Sequence, residues 1–325
     1  MFKLTRRLAI TVGLLAAVPA AQAQLGLPVR PALPGVGLPG DLTRPLRLPE
    51  APLAELAGRR LRQVDELLRR HAGELEPDPA GQPVVRGELL LVAPGDALLA
   101  EARRRGYALL RERRVEGLDE RWVVLRPPPG VSLAEARAAL LAVDPQATID
   151  FNHLYLPAGE PSSGSAAPAM AAPPRGAARI GLVDSGVEAS HPALRGLALQ
   201  RQGCGGALHP QAHGTAVASL LVGRAEGFGG AAAGATLYAA DVYCGVPTGG
   251  AVDAVAEALA WMARERVAVV NLSLVGPPNR LLERLVAALV ARGHLLVAAV
   301  GNDGPAAPPL YPAAYPGVVG VTAVT

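Results

Sequence analysis

Three polar residues in the second half of the chain have side chains suited to acyl-transfer chemistry. Asp184 directly follows the apolar residues 180–183, His213 opens a helical run, and Asn302 follows an apolar run in a Gly-rich stretch. A carboxylate can orient an imidazole and stabilise its charged form, and a side-chain amide can donate to a developing oxyanion. Each residue alone also fits a structural role as a cap or turn residue. Together, in the order Asp, His, Asn at the starts or ends of predicted elements, they are a stronger signal of a functional site than any one of them alone.

The apolar pattern around these residues predicts a sheet that would bring them together. From residue 179 onward, short strand-like runs alternate with helical runs. The predicted strands are residues 180–183, 236–242, 267–274, 295–300 and 318–324, and the predicted helices are 213–222, 251–265 and 280–292. This alternation is typical of an α/β fold, a doubly wound parallel sheet with helices on both faces. The active sites of such sheets lie beyond the carboxyl ends of the strands, where Asp184 and Asn302 are expected.

The same segment resembles the subtilisin family, the subtilases, over residues 179–325. Four stretches carry the resemblance: Asp184 with the later His191-Pro192, His213-Gly214-Thr215, Asn271-Leu272-Ser273-Leu274, and Gly301-Asn302. The resemblance implies a subtilisin-like parallel sheet and a serine endopeptidase that hydrolyses peptide bonds with an Asp-His-Ser triad. Protein or peptide substrates are the partners that follow from it.

Residue roles also follow from the resemblance. Asp184 would orient His213, His213 would act as general base and then general acid, and Asn302 would donate to the oxyanion. The substrate-binding residues would be Ser273, Leu274, Val275 and Gly301. The Ser273-Leu274 segment matches the strand on which an extended substrate backbone pairs. The family often has Gly where this chain has Val275, so the shape of the primary specificity pocket is left open. His191 belongs to the motif without a catalytic role.

The family's nucleophile lies in a Gly-Thr-Ser-x-Ala stretch that does not occur in these 325 residues. Ser185 adjoins the acid and Ser273 lies on the substrate strand, so neither is expected to replace it. We therefore expect this chain to lack serine-peptidase turnover and the nucleophile to lie beyond Thr325. The alternative is a degenerate, non-catalytic subtilase domain that binds peptides or its own propeptide.

Residues 87–156 carry a second compact pattern, with the order β-α-β-β-α-β of a ferredoxin-like α+β domain. The predicted elements are strands 88–92, 107–115, 121–126 and 147–156 and helices 97–105 and 132–143. Ser132 and Glu135 form a predicted capping box. The family resemblance implies a propeptide that assists folding and inhibits the mature enzyme, which makes the chain a zymogen. Residues 157–178, rich in Pro, Ala, Gly and Ser, are predicted to be a disordered linker and a site of proteolysis.

The first residues determine the expected compartment. A short basic region, an apolar run to Ala20 and the small-x-small sequence Ala21-Gln22-Ala23 predict a secretory signal peptide over residues 1–23. Residues 24–86 read as a Pro-rich linker followed by a helix over 53–71. We expect a secreted or periplasmic protein without a stable membrane anchor. Cys204 and Cys244 would then be oxidised, and the subtilase resemblance implies that they form one disulfide.

Several other classes of function are disfavoured. The net charge of +3 and the pI of about 9.1 come mainly from arginines. The densest run of these arginines, residues 103–114, is interrupted by apolar residues and Glu112, which argues against nucleic acid as a partner. Gly-rich residues 227–232 follow a helix rather than a strand, which is the wrong context for a dinucleotide site. The cysteines and histidines lack metal-ligand spacing, and no cofactor is expected to be required. Structural calcium, common in subtilases, cannot be placed from the sequence.

Overall fold

The computed structural model describes residues 50–115, 118–159, 178–303 and 308–322, and within residues 50–57 only the backbone. All described residues lie in one compact unit, Leu48–Thr325. The predicted signal peptide and the Pro-rich part of the predicted linker lie outside the described residues. Within the described residues, none of the helices has both the length and the apolar character needed to cross a membrane.

The first part of the described chain is an amphipathic helix followed by an antiparallel sheet. The elements are α1 (Glu50–Arg70), β1 (Leu75–Pro77), β2 (Pro83–Val92), α2 (Asp96–Arg104), β3 (Ala108–Val115), β4 (Glu120–Arg126), α3 (Leu133–Leu141) and β5 (Thr148–His153). Strand β2 pairs with β5 on one side and with β4 on the other, β3 continues beyond β4, and β1 pairs with the start of β2. The order β5-β2-β4-β3 is the split βαβ arrangement.

This antiparallel domain begins earlier than the sequence indicates, because β1 and the first half of β2 precede residue 87. Pro77, Asp78, Pro79 and Pro83 interrupt the apolar pattern there, and backbone pairing between Leu75 and Val85 nevertheless holds the two segments together. The prediction of a linker and helix up to residue 86 is therefore wrong over its last residues. The predicted capping box is present, with Ser132 N donating to Glu135 Oε2 over 3.0 Å.

The two faces of the antiparallel sheet are both buried. Helices α2 and α3 cover one face, around Leu89, Leu91, Tyr107, Leu140 and Phe151. The opposite face, with Leu90, Trp122 and Val124, belongs to one continuous core with helices further along the chain. An antiparallel sheet commonly leaves one face to water, so the second buried face marks a docking surface between two parts of this chain.

The second part of the described chain is the predicted α/β fold, built on a parallel sheet of six strands. Its main elements are β7 (Arg179–Asp184), β8 (Leu199–Gly203), α4 (Ala212–Val222), β11 (Thr236–Asp241), α5 (Val252–Arg264), β12 (Val269–Leu272), α6 (Arg280–Ala291), β14 (Leu295–Ala299) and β15 (Val318–Val321). The strand order is β15-β14-β12-β7-β11-β8, and all neighbours are parallel. Helix α4 packs on one face, whereas α5 and α6 pack on the other.

Short additional elements complete the second part. A two-stranded hairpin joins β9 (Arg224–Ala225) to β10 (Phe228–Gly229), and β13 (Leu274–Val275) follows β12. Strand β15 is the edge strand of the described sheet, and its Val319 and Val321 are 47% and 50% exposed.

Two predicted strands are each broken into two pieces. The predicted strand 147–156 ends at His153, and the chain then forms β6 (Leu156–Pro157), which leaves the antiparallel domain and pairs with β13. The predicted strand 267–274 likewise splits into β12 and β13. The first residues of the predicted disordered linker, 157–159, are therefore in contact with the parallel-sheet part, and residues 160–177 lie outside the described residues.

Candidate active site

A buried carboxylate and a histidine meet at the carboxyl end of β7. Asp184 is the last residue of β7 and is fully buried, and His213 lies in the first turn of α4. His213 Nδ1 lies 2.8 Å from Asp184 Oδ1 and 2.9 Å from Oδ2. The backbone N–H of Ser185 also donates to Asp184 Oδ1, over 2.5 Å. Since carboxylate oxygens only accept, Nδ1 carries a proton and the ring is held in one tautomer.

Close packing between two backbone segments fixes the position of the histidine. The Gly214 N–H donates to Ser185 Oγ over 2.9 Å. A Cβ at Gly214 would lie 2.2 Å from the carbonyl oxygen of Ser185, so only glycine allows this approach. The residues flanking Asp184 and His213 therefore join the end of β7 to the start of α4.

The other ring nitrogen of His213 contacts the segment that follows the antiparallel domain. His213 Nε2 lies 3.1 Å from the carbonyl oxygen of Ala158. Two acceptors on opposite nitrogens favour the doubly protonated ring. The bond to Asp184 is the main cause that raises the pKa of His213 above its ordinary value; burial opposes it, and the Ala158 carbonyl adds to it.

The segment that reaches His213 is held as an extended strand between two others. On one side β6 pairs antiparallel with β13, with Leu156 opposite Val275 and Pro157 opposite Leu274. The N–H of Ala158 donates to the carbonyl of Ser273 over 3.1 Å. On the other side, Leu154 bridges Ala251 and the Tyr155 N–H donates to Gly250 O over 2.8 Å. Strand addition of this kind is how peptides bind to sheet edges.

Tyr155 anchors this segment in a pocket. Its side chain is fully buried, and its hydroxyl donates to the carbonyl of Pro277 over 2.7 Å. A Cβ at Gly276 would lie 2.5 Å from the ring, so the absence of a side chain there makes the room. Burial raises the pKa of Tyr155 well above its ordinary value, so the hydroxyl keeps its proton and remains a donor.

Asn302 lies on the far side of the same segment. A Cβ built on Gly159 would be 3.7 Å from Asn302 Nδ2, so the side-chain amide faces the backbone just after Ala158. The preceding Gly301 has a φ of 87°, a conformation that glycine adopts without strain. Beside it lie Leu310 Cδ1 and Val275 Cγ1, at 2.7 and 3.8 Å from the position of a Gly301 Cβ.

These groups are arranged around one peptide bond. His213 Nε2 contacts the carbonyl oxygen of Ala158, and the Asn302 amide lies near Gly159, so both side chains adjoin the bond between Ala158 and Gly159. The sequence profile of the subtilase family matches residues 176–325, which contain all of the groups except the peptide itself. Residues 176–325, called the subtilase part of the chain below, are therefore similar to the subtilase family.

Known subtilases are similar to this segment. Subtilisin Savinase from Lederbergia lenta is 36% identical over 150 residues, which are 45% of this chain and 55% of that protein. Subtilisin E from Bacillus subtilis is 30% identical over 155 residues, 45% of this chain and 40% of that protein. The chain thus spans about half the length of the curated relatives that it matches.

Solved structures extend the likeness in fold across both parts of the chain. Fervidolysin from Fervidobacterium pennivorans, a keratinolytic enzyme related to subtilisin, has a TM-score of 0.56 at 16% identity, and covers 76% of this chain and 44% of its own. The epidermin leader peptide processing protease from Staphylococcus aureus has a TM-score of 0.51 at 12% identity, with 72% and 68% covered. At these identities the comparison supports the subtilase fold alone.

The structure brings the residues expected from the sequence to one place, since Ser273, Leu274, Val275 and Gly301 all lie beside the strand that ends at Ala158. The site also contains residues that no motif in the sequence predicts: Tyr155, Gly250, Gly276 and Ala158. The apolar run Tyr-Leu-Pro-Ala before a Gly-Ser-rich stretch is a signal for an anchored end, although its pattern equally fits the continuation of a strand.

The predicted disulfide between Cys204 and Cys244 is confirmed in the subtilase part. Cys204 lies just after β8, and Cys244 lies in the turn that follows β11. Both sulfur atoms lie near the Asp241 carboxylate, a grouping that resembles a metal site. Because the sulfurs are bonded to each other, they are not available as the thiolates that a metal would require.

Proposed function

We propose that the complete protein is a serine endopeptidase in which Asp184 and His213 act with a serine beyond residue 325, and Asn302 donates to the oxyanion. The contact that carries the proposal is the hydrogen bond between His213 Nδ1 and the buried Asp184, at 2.8 Å. The serine would attack the carbonyl carbon of the scissile bond, and His213 Nε2 would take its proton. His213 would then give that proton to the leaving nitrogen, and water would hydrolyse the acyl-enzyme.

We also propose that residues 75–158 are an inhibitory propeptide. Its last strand occupies the edge on which substrate would pair, and Ala158 O engages His213 Nε2 at 3.1 Å. The general base must have a free lone pair on Nε2, and the serine hydroxyl must reach it. A carbonyl held at that nitrogen blocks both requirements, so the chain in this form is a self-inhibited precursor.

The proposed processing site is the bond between Ala158 and Gly159, which narrows the expectation of a cut in the linker to one bond. The support is that Ala158 O contacts His213 Nε2 and that the Asn302 amide lies near Gly159. Attack would require the Ala158 carbonyl to turn from His213 toward Asn302. The new N-terminus would be Gly159.

We propose export to the extracytoplasmic space, directed by residues 1–23. A Bacillus subtilis relative named minor extracellular protease Epr, 36% identical over 114 residues, supports this location. A disulfide between Cys204 and Cys244 also suits an oxidising compartment.

The test uses the full-length gene product, secreted and purified. A fluorophosphonate probe should label it, and N-terminal sequencing should give Gly159. His213→Ala should abolish labelling, whereas His209→Ala, which changes an exposed histidine near the site, should leave labelling intact. Labelling that survives His213→Ala would refute the assigned base.

A second candidate, a non-catalytic peptide-binding domain, draws on the same strand pairing between β6 and β13. It would bind a Tyr-Leu-Pro-Ala peptide without labelling by the probe. A stop codon directly after Thr325 in the gene would favour this function, and an in-frame Gly-Thr-Ser-x-Ala stretch would favour the peptidase.

A further inference from the structure

A cavity lies beside Ala158 that the methyl side chain of this residue does not fill. Its volume is about 620 Å³. One wall is the cleft itself, with Val275, Gly301 and Asp303. The other wall is helix α1, which contributes Arg59, Arg60 and Arg62. The cavity therefore adjoins the position that the residue before the scissile bond of a substrate would occupy.

One of these arginines reaches across to the cleft. Arg60 Nε lies 3.8 Å from Asp303 Oδ2, and the two side chains are only 12% and 18% exposed. Arg60 Nη2 is buried and has no hydrogen-bond partner among the described residues. Asp303 supplies the carboxylate that faces this guanidinium.

Both members of the pair are removed from water. Burial lowers the pKa of Arg60, although Asp303 opposes this shift. Burial likewise raises the pKa of Asp303, and Arg60 opposes that shift. A carboxylate in such surroundings attracts a cation more strongly than one in open solvent.

Processing at residue 158 would remove this partner. Helix α1 lies upstream of the proposed cut, and its C-terminal half packs through Leu67 and Leu68 on the propeptide, so the helix would leave with it. Arg60 is the only ion-pair partner of Asp303 in the part of the chain that the structure describes. After release, Asp303 faces a cavity that adjoins the scissile position and has lost its cation.

We propose that Asp303 is a specificity-determining residue, which selects substrates with an arginine or lysine immediately before the scissile bond. In the precursor, Arg60 occupies the place of that substrate side chain, and Ala158 leaves the room for it. The precursor's own cut does not need an optimal residue at Ala158, because the strand is already held against the site within one chain. This inference rests on the proposed peptidase function.

The test compares peptides with one variable position on the complete, processed enzyme. Fluorogenic substrates of the form Tyr-Leu-Pro-X keep the residues of the chain's own strand, with X as arginine, lysine or norleucine. Norleucine resembles lysine in shape without its charge. We expect kcat/KM for arginine to exceed that for norleucine by about tenfold or more, and the preference to weaken as salt is raised.

Variants at Asp303 sharpen the test. Asp303→Asn should bring the arginine-to-norleucine ratio close to one, and Asp303→Lys should favour glutamate at X over arginine. The matched control is Glu283→Gln, which removes an exposed carboxylate on α6 and should leave the ratio as in the wild type. Probe labelling of each variant verifies that it folds. If the Asp303 variants do not fold, the arginine-to-norleucine ratio of the wild type and its salt dependence still test the proposal.

The outcomes distinguish a failure of the Asp303 assignment from a failure of the peptidase function. A wild-type enzyme that hydrolyses norleucine peptides as well as arginine peptides overturns the assignment of Asp303 and leaves the peptidase function intact. An arginine-to-norleucine ratio that is unchanged in Asp303→Asn also overturns the assignment of Asp303. Failure to hydrolyse any peptide, together with absence of probe labelling, overturns the peptidase function itself.

Discussion

The antiparallel sheet and the parallel sheet bury their faces by different means. The parallel sheet is covered on both faces by helices of its own part of the chain, α4 on one side and α5 and α6 on the other. The antiparallel sheet supplies only α2 and α3, and its second face is closed by α5 and α6. Without the larger domain, the antiparallel sheet would expose one of its two faces. Without the smaller domain, the parallel sheet would keep helices on both faces, and only the outer sides of α5 and α6 would be exposed.

Polar side chains also connect the two domains across this interface. Asn152 Nδ2 donates to Glu88 over 2.7 Å and to Asp253 over 3.0 Å, and Asp253 lies in the first turn of α5. Arg111 Nε donates to Asp253 over 2.8 Å. Burial works to lower the pKa of Arg111, but the carboxylates of Glu88 and Asp253 outweigh it and raise that pKa. The antiparallel domain thus places its Arg111 between carboxylates from both domains.

The largest expected effect is on the isolated small domain. Residues 71–158 produced alone would expose the face that carries Leu90, Trp122 and Val124 to water. We expect no cooperative thermal transition by circular dichroism, and a transition to appear when the subtilase domain is added in trans. A sharp transition of the isolated fragment would contradict the dependence described above.

A large effect is also expected from one side chain on the shared face. Trp122 is 1% exposed, and Trp122→Ala should cost about 3–5 kcal/mol in urea unfolding of the precursor. The matched control is Leu109→Ala in the neighbouring strand β3, where the side chain is 42% exposed and a clearly smaller loss is expected. Equal effects of the two substitutions would show that the shared face is not a core.

A smaller effect is expected from the polar part of the interface. Asn152 is fully buried, and Asn152→Ala leaves the carboxylates of Glu88 and Asp253 with one donor fewer. We expect a loss of about 1–3 kcal/mol in the same unfolding experiment. The exposed Gln146 lies in the turn before β5, and Gln146→Ala serves as the control. A loss no greater than that of the control would mean that water replaces the amide.

The smallest effect concerns His213, whose two ring nitrogens contact one group from each part of the chain. Since the Ala158 carbonyl adds to the raised pKa of His213, the pKa should be higher in the precursor than after strand release. By linkage, this contact stabilises the docked strand below the unfolded pKa, and the contribution is lost as pH rises through the folded pKa. A proton NMR titration of His213 tests this, in the precursor and in a chain whose residues 156–159 are Gly-Ser-Gly-Ser. An unchanged midpoint would show that the contact with the Ala158 carbonyl does not affect the pKa of His213.

Elements with a clear apolar period were predictable from the sequence, such as α5, α6 and the strands that precede Asp184 and Asn302. Strand β8 was missed because its sequence Leu-Gln-Arg-Gln-Gly lacks apolar alternation, and backbone pairing with β11 alone makes it a strand. The break after His153 could not be predicted either. Leu154, Tyr155 and Leu156 continue an apolar run, and only the distant Gly250 and Pro277 draw Tyr155 out of the sheet.

The residues of the candidate site were likewise predictable only in part. Asp184, His213 and Asn302 could be found because each belongs to a short motif in the sequence. The pairing of Arg60 with Asp303 could not be predicted, because neither local sequence contains a signal for the other residue. The two residues meet only in the folded chain.

The disulfide between Cys204 and Cys244 closes a ring of chain with a sequence separation of 40 residues. His213 and the whole of α4 lie inside this ring, and Asp184 lies outside it. In the chain-entropy model, closing a ring of this length is worth about 4 kcal/mol against the unfolded chain. In a reducing compartment the chain lacks this stabilisation, which acts on the segment that carries His213. The contact between His213 and Asp184 is therefore expected to withstand unfolding better where thiols are oxidised.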